Sequence, residues 1–490
     1  MNAIFSAFKG SSNAQGVEAL IQQVIQEAKG QQDEARRKDA ERLLDFYSNR
    51  IAGYLKDILE AGGFKKPDEK MPTKLNLLKK YANTKAQMFS SDPELRMVID
   101  GELSESDQQL FDWLMEEGGW IDKVRLANVW EKLLGTFHIR VHPVGEPGAY
   151  ESLNLNLIPP HNTIVRQSDH DPTRAEFLLY RVHGMADSHA AVAEKWVFWS
   201  DDQHFLVDGE GRVQKVKDNP DMENPYGVMP IVKISDLLIE DDVYWAEGAQ
   251  DVLSANEAAI VGLVSLTHGW VHTGFKQMWA RNFAKAALEQ IGADVIIAQE
   301  GVPEGEQAAE IGTVDLTADL DKLWETVQGT VQLAALLNDI PPQEFRLDAV
   351  AESGFSKLVS RLPLLEERKR DVPKWRRNFR RMFAVIKTVW NHHADEFDGP
   401  MKGRKFSENV ELAVDMPEPT FPESPEEIDG RHERRIKMGT MSIIDAIKEN
   451  NPDLDDDQAA ARLEEIAKEQ AMFKGASVLG AIGLDPEGGE

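Results

Sequence analysis

The stretch from Gly354 to Ala394, GFSKLVSRLPLLEERKRDVPKWRRNFRRMFAVIKTVWNHHA, constrains this chain more than any other. Trp375, Phe379, Met382, Phe383, Ile386, Val389 and Trp390 recur at helical spacing and make one apolar stripe of an amphipathic helix. Between them stand Lys374, Arg376, Arg377, Arg380, Arg381 and Lys387, a dense basic face in a chain of net charge −29. Pro363 and Pro373 each remove a backbone donor, yet the pattern resumes past both, so a kinked rather than an interrupted helix is expected. At 1.5 Å per residue such a helix reaches roughly 60 Å, longer than a compact domain needs. Taken alone it reads as a long core helix with a solvated basic face. What precedes it argues for more.

A chain of 490 residues is too long for a single core, so two to four domains are expected. A hydrophobic content of 42% rules out wholesale disorder. No apolar run approaches the roughly eighteen residues of a membrane span, and MNAIFSAFKG is too short and too weakly apolar for a secretory signal. There is no cysteine, which excludes disulfides, zinc–thiolate sites and cysteine nucleophiles and is compatible with a reducing cytosolic origin. The negative charge argues against a protein that grips nucleic acid along its surface. It is compatible with a duct through which DNA slides, because carboxylates on the wall repel phosphate. Simple solubility is the plainer explanation.

In chain order, residues 1–16 read as a mobile arm, and helical spacing runs from Val17 to Leu59 with a polar, Gly30-containing middle that suggests two helices or a bent one. After the linker Pro67 to Pro72, helices are expected at Leu75–Phe89, Glu105–Glu117 (Ser104 as N-cap, Asp107 three residues on) and Ile121–Leu134. The pattern then changes to short alternating or β-branched runs at Phe137–Val144, Leu153–Ile158, Thr163–Arg166, Ala175–His183, Glu194–Trp199, His204–Val207 and Val213–Val216, a β-rich subdomain of broadly antiparallel strands. Helical stripes return at Asp241–Leu266 and Leu316–Leu337. Between them lies a small α/β knob, with strands expected at Val271–Trp279 and Asp294–Gln299, a helix at Asn282–Gln290 and an acidic loop at Glu300–Glu310. Ile340-Pro341-Pro342 breaks the chain before the loop that ends at Ser353. Beyond the long helix, Val410–Met416 reads as a strand, the prolines at 417, 419, 422 and 425 as an extended linker, and Ser424–Phe473 as a final helical unit before the acidic tail Pro486–Glu490.

Catalytic motifs are absent: there is no HExxH, GxxxxGK[ST], GxSxG or GxGxxG. His392, His393, Asp395 and Glu396 offer metal-binding side chains, but neighbours on a helix point about 100° apart, so a polar helix end is the expected role. The acidic run at Asp453, Asp455, Asp456 and Asp457 lacks the glycine and closing glutamate of a calcium loop. No catalytic residue, metal ligand or cofactor is assigned.

Arrangement carries the functional reading: two helices with a knob at one end, a proline-terminated loop, then a long kinked helix. A monomer gains little from so extended a pair, whereas a ring of copies buries its sides and leaves a channel. Five segments are similar, in order, to those of the portal proteins of tailed bacteriophages. They are Lys74–Met88 before Ser91-Asp92-Pro93; Asn224-Pro225-Tyr226-Gly227-Val228-Met229-Pro230-Ile231-Val232 with Asn256-Glu257 beyond it; Glu352-Ser353-Gly354 with Lys357; and Met438-Gly439-Thr440-Met441-Ser442 with Asp445. Asp92-Pro93 departs from the family's more usual double proline.

The resemblance spans roughly residues 70–470 and implies an α+β, mainly helical ring subunit with the long kinked helix beside a β-rich wing. It divides the chain into a wing (1–240), a first stem helix (241–266), a clip (267–315), a second stem helix (316–340), a tunnel loop (341–353), the long helix with a wing return strand (354–428), and a crown with acidic tail (429–490). It also implies a homododecamer at a capsid vertex of the virion, assembled in the host cytoplasm and without enzymatic activity of its own. Its partners would be double-stranded DNA in transit, the terminase large subunit, a head-to-tail adaptor, and the major capsid and scaffolding proteins, with no membrane. On that reading Gln343, Glu344, Phe345, Arg346, Leu347 and Asp348 line the channel, and Gly301, Val302, Pro303, Glu304, Gly305 and Glu306 dock the adaptor. Arg376, Arg377, Arg380 and Arg381 make charge contacts between subunits. A non-portal helical scaffold or adaptor, or a DNA-processing enzyme such as a terminase subunit, are the alternatives.

Overall fold

The computed structural model describes residues 31–64, 75–182, 195–208, 212–216, 219–236, 244–274, 277–281, 310–314, 320–345, 354–419, 425–451, 455 and 458–468. Outside these lie the expected arm at 1–16, the stretch that follows it to 30, the linker at 67–72, the knob helix at 282–290 and strand at 294–299, its acidic loop to 309, loop residues 346–353 and the tail 486–490.

The chain is α+β and mainly helical. It divides into two compact units, Met1–Val350 with Ser360–Pro419, and Ala351–Val359 with Thr420–Glu490. The larger unit opens with α1 (Gln31–Tyr47) and α2 (Leu55–Ala61), parted at Asn49, whose positive φ of 60° suits a short polar side chain. There follow α3 (Leu77–Lys85), α4 (Glu105–Glu117) and α5 (Trp120–Leu134). Asn76 caps α3 by accepting the Lys79 N–H at 2.9 Å. At Ser104, the N-cap of α4, no side chain bonds a backbone N–H; instead the Asp107 carboxylate accepts the Ser104 hydroxyl at 2.6 Å and both the N–H and hydroxyl of Ser407, at 2.9 and 2.8 Å. It thereby ties α4 to a segment 300 residues away.

Sequence periodicity misses two strands, β1 (Glu94–Ile99) and β2 (Glu102–Leu103). β1 is the middle of a three-stranded antiparallel sheet whose other edge, β13 (Glu411–Asp415), returns from far along the chain, with Glu94 opposite Asp415 and Val98 opposite Glu411. A second sheet orders β10 (Ile231–Ser235), β3 (Thr136–Glu146) and β4 (Ala149–Ile158). A five-stranded meander runs β5 (Thr163–Gln167), β6 (Ala175–Val182), β7 (Lys195–Ser200), β8 (His204–Asp208) and β9 (Val213–Gln214). Its strands alternate between two apolar clusters: Phe177, Leu179, Trp196 and Phe198 line one face, Leu178, Tyr180, Val197 and Trp199 the other.

α6 (Gln250–Gly274) starts later and ends later than expected, so the anticipated strand from Val271 is helical to Gly274 and β11 occupies only Gln277–Arg281. The late start follows from a tight junction. Ala249 N–H donates to the Leu133 carbonyl at 3.0 Å. At Gly135, φ is +72° and an added Cβ would stand 2.4 Å from the Glu247 carbonyl oxygen, a place only glycine fills. β11 pairs antiparallel with β12 (Glu310–Val314), and α7 (Leu320–Leu337) follows.

The long helix, α8 (Gly354–His393), runs through both prolines for 40 residues. Its buried stripe from Leu364 to Trp390 is part of the main core. Phe89 meets Trp375 edge-on with ring centroids 5.0 Å apart, Phe111 meets Phe383 at 5.8 Å, and Trp390 stacks on Phe397 at 4.2 Å. The smaller unit contains α9 (Pro425–Lys437) and α10 (Ile443–Asn450). Ser442 and Asp445 form a reciprocal capping box at the start of α10, and Glu449 answers Arg431 at 2.6 Å.

Candidate functional site

The helix pair comes first. Gly262 of α6 faces Val327 of α7, Gly269 faces Leu320, and Asn338 just past α7 donates to Asp251 at 2.8 Å. Pairings that step forward on one helix and back on the other define antiparallel helices, matched over about 27 Å at 1.5 Å per residue. The approach is close: a Cβ on Gly262 would lie 2.4 Å from Val327 Cγ2. Asn256 is fully buried in α6, accepting the Leu77 N–H at 2.6 Å and donating to the Leu75 carbonyl at 3.1 Å. The polar step read in the sequence at Asn256-Glu257 thus locks the base of the pair to the start of α3, while Glu257 meets Arg42 at 2.7 Å. On α7, Leu333, Leu336 and Leu337 are exposed at helical spacing, an apolar side left uncovered among the described residues.

The loop after the pair is anchored before it leaves the described residues. Ile340 is buried, and Pro342–Phe345 form a 3-10 turn. Gln343 is exposed, and Phe345 is half-buried against the main core. Glu344 is held by two cations of its own chain, Lys80 at 3.1 Å and Arg361 at 2.8 Å. Partial burial works to raise its carboxyl, but the hydrogen bonds from Arg361 and Lys80 keep it below the usual range. Arg346, Leu347 and Asp348 lie outside the described residues, as do Gly301, Val302, Pro303, Glu304, Gly305 and Glu306 of the knob.

The basic residues of α8 divide between two faces. Lys369, Arg370, Arg377, Arg380 and Arg381 are exposed. Arg376 is half-buried and reaches Asp415 of the return strand at 3.3 Å. Lys374, read in the sequence as part of the basic face, is instead buried among charges that the sequence does not reveal. Its ammonium lies 2.6 Å from Asp236, 2.7 Å from Glu131 and 3.0 Å from Asp371. Beside it Lys132 contacts Asp371 at 2.8 Å, Glu367 at 3.0 Å and Asp236 at 3.1 Å. Lys85 joins Glu367 at 2.8 Å and donates to the Asn338 carbonyl at 2.9 Å, so the cluster reaches the foot of α7.

Burial alone would lower both lysines, yet the surrounding carboxylates hold Lys132 and Lys374 above their ordinary value. Burial likewise works to raise Asp236, but Lys132 and Lys374 hold it down. Glu131 is fully buried, and that pushes it up to about 7 against the pull of Lys374. Its other oxygen accepts from Trp375 Nε1 at 2.8 Å and Asn128 Nδ2 at 3.1 Å. The one signal in the sequence is Glu131-Lys132 set inside the apolar run Val129-Trp130 … Leu133-Leu134.

The Asn224-Pro225-Tyr226-Gly227 turn is a polar hub. Asn224 Nδ2 donates to the Ser200 and Val228 carbonyls at 2.8 and 2.9 Å, and the Tyr226 hydroxyl meets His393 Nε2 at 2.9 Å. Burial lowers His393 against the opposing bond to Glu396. These contacts fasten the meander to the end of α8. Among the described residues, no group of three potential ligands converges to hold a metal, and no helix is long and apolar enough to cross a membrane.

No protein-family model matches the chain, and no curated protein matches it. Among solved structures, it is similar to a chain in the neck of a native GTA particle computed with C12 symmetry, at 12% identity and a TM-score of 0.39, covering 75% of this chain and 87% of that one. It is similar also to a chain in the neck of an empty GTA particle computed with C6 symmetry, at 14% identity and a TM-score of 0.40, covering 74% and 85%. Likenesses this distant carry no weight for function.

Proposed function

We propose that this chain is a portal subunit: twelve copies form a ring at one capsid vertex, double-stranded DNA is packaged through it by the terminase large subunit and later ejected, and a head-to-tail adaptor docks on it. The observation that carries the reading is the antiparallel pair α6–α7 with Leu333, Leu336 and Leu337 left uncovered, leading through an anchored turn into a 40-residue helix. An apolar side on so extended a pair calls for a neighbour, and a closed ring supplies one to every copy.

On this reading α6 and α7 are the stem, the β11–β12 ribbon with the segment it encloses is the clip, and residues 341–353 are the tunnel loop. The turn held by Glu344 fixes the root of that loop, whose residues Gln343 to Asp348 line the channel on this reading. The exposed cations of α8 meet acidic surface on the neighbouring copy, which a subunit of charge −29 offers in plenty.

Light scattering on the purified protein tests the reading. Twelve copies of a 55.0 kDa chain give a particle of about 660 kDa. A monomer at micromolar concentration refutes it.

A further inference from the structure

The charges clustered at the middle of α8, buried at Glu131, Lys132, Asp371 and Lys374 and half-buried at Lys85, Asp236 and Glu367, do not balance. Four carboxylates, Glu131, Asp236, Glu367 and Asp371, share three ammoniums, those of Lys85, Lys132 and Lys374. They gather from the end of α3, from α5, from the residue after β10 and from two turns of α8. Glu131 lies deepest, wholly enclosed, between Lys374 on one oxygen and the Trp375 and Asn128 donors on the other. An unmatched negative charge there is poorly solvated, and binding one proton would relieve it.

The position is as telling as the count. Pro373 stands between Asp371 and Lys374, and its missing N–H leaves the Lys369 carbonyl without the usual helical donor. The helix is therefore weakened, as it is at Pro363, at the turn that the charges clasp.

We propose that this cluster is a proton-dependent clasp on the proline-bearing turn of the long helix, closed when one proton is bound within it and loosened when that proton leaves. The proton resides on Glu131, facing Lys132 from its own helix, Lys374 and Asp371 from α8, and Asp236 from the chain after β10. The inference stands on the cluster alone and holds whether or not the chain forms a ring.

The sign follows from linkage. Glu131 titrates at about 7 in the fold, against an ordinary value of 4.5 once the turn opens. Its contribution is therefore complete below pH 4.5, fades as pH rises to 7 and is gone above. Between pH 5.5 and pH 8 the clasp should weaken about 30-fold, a factor of ten for each unit between 5.5 and 7.

The test is hydrogen–deuterium exchange on the full chain as purified, following peptides that cover residues 366–380 at pH 5.5, 6.5, 7.5 and 8, each corrected for intrinsic exchange. Wild type should lose about 30-fold in protection across this range, most of it below pH 7. Glu131→Gln, which keeps the shape and an acceptor for Trp375 but cannot titrate, should change less than threefold. Asp371→Asn balances the cluster by another route and should also be flat. A flat profile in wild type overturns the proposal without reference to any variant. So does a wild-type-like loss of protection in either substitution.

Discussion

Replacing Asn256 by alanine should loosen the attachment of the helix pair, and the loss can be worked from two hydrogen bonds. The side chain is fully buried, accepts the Leu77 N–H at 2.6 Å and donates to the Leu75 carbonyl at 3.1 Å. Alanine leaves both backbone groups without a partner, and each such orphan costs about 1–3 kcal/mol. Leu75 and Leu77 are only half-buried, so water reaches their backbone in part and the lower half of that range applies. The two losses with the small void left behind come to about 3 kcal/mol. That corresponds to about a hundredfold faster exchange of the amides in Leu77–Lys85 by local opening. Asn256→Asp separates hydrogen bonding from volume: a carboxylate still accepts from Leu77 but turns an oxygen on the Leu75 carbonyl, so it should fare little better than alanine. Ser254→Ala, on the exposed side of the same helix, should fall within about 0.5 kcal/mol of wild type. If Asn256→Ala also lies within that margin, or Asn256→Asp is as stable as wild type, the bonds do not hold the pair in place.

Gly262→Leu should wedge α6 from α7 and cost about 3 kcal/mol or more in urea denaturation, with part recovered by adding Val327→Ala. Lys374→Met strands Glu131, Asp236 and Asp371 and should cost about 3–5 kcal/mol, read the same way, with Glu131→Gln restoring part of it. His138 is buried against the Tyr244 hydroxyl, and burial lowers it to about 3. A histidine kept neutral in the fold contributes stability that is full above its unfolded value of 6.5 and is lost as pH falls toward 3. Stability curves of His138→Gln should therefore lack an acid slope of about 1.4 kcal/mol per pH unit, and an unchanged slope would place the proton uptake elsewhere. Arg377→Glu with Arg381→Glu should lower the assembled fraction in light scattering, while Arg377→Ala alone is mild, since exposed ion pairs are worth about 0–1 kcal/mol. Normal rings with altered DNA retention would make that face a DNA contact instead.

Much of the frame was legible because it is local. The Glu105–Glu117 helix and the start of the long helix at Gly354 coincide with their sequence boundaries, since glycine, serine and the apolar period mark them within a few residues. β1 was not legible. ELRMVI is short and mixed in polarity, and what makes it a strand is a partner that begins at residue 411. The helix through Val271 defeated a β-branched cue because Gly269 lets α7 lie against it. Lys374 was misjudged for a related reason. Its place beside Trp375 puts it at the edge of the stripe, but the carboxylates that admit it to the interior sit on α5 and beyond β10. Arg377, Arg380 and Arg381 of the same helix are exposed, as the basic face in the sequence suggests, since exposure follows from the local apolar period.

The pairing of β1 with β13 also sets an order of events at the ribosome. At about 5–20 residues per second, the roughly 310 residues between the two strands take about 15–60 s to emerge. During that wait β1 has only the two-residue β2 beside it, and its other edge stands open. Glu94 and Arg96 along that edge are the kind of charges that discourage a second nascent chain from adding itself there. The same interval leaves Phe89 and Phe111 without the rings of the long helix that cover them in the finished fold. Its larger unit is therefore completed only after residue 415 has been made, and a chain cut short before that point should reach the cell as a substrate for chaperones and proteases rather than as a smaller working protein.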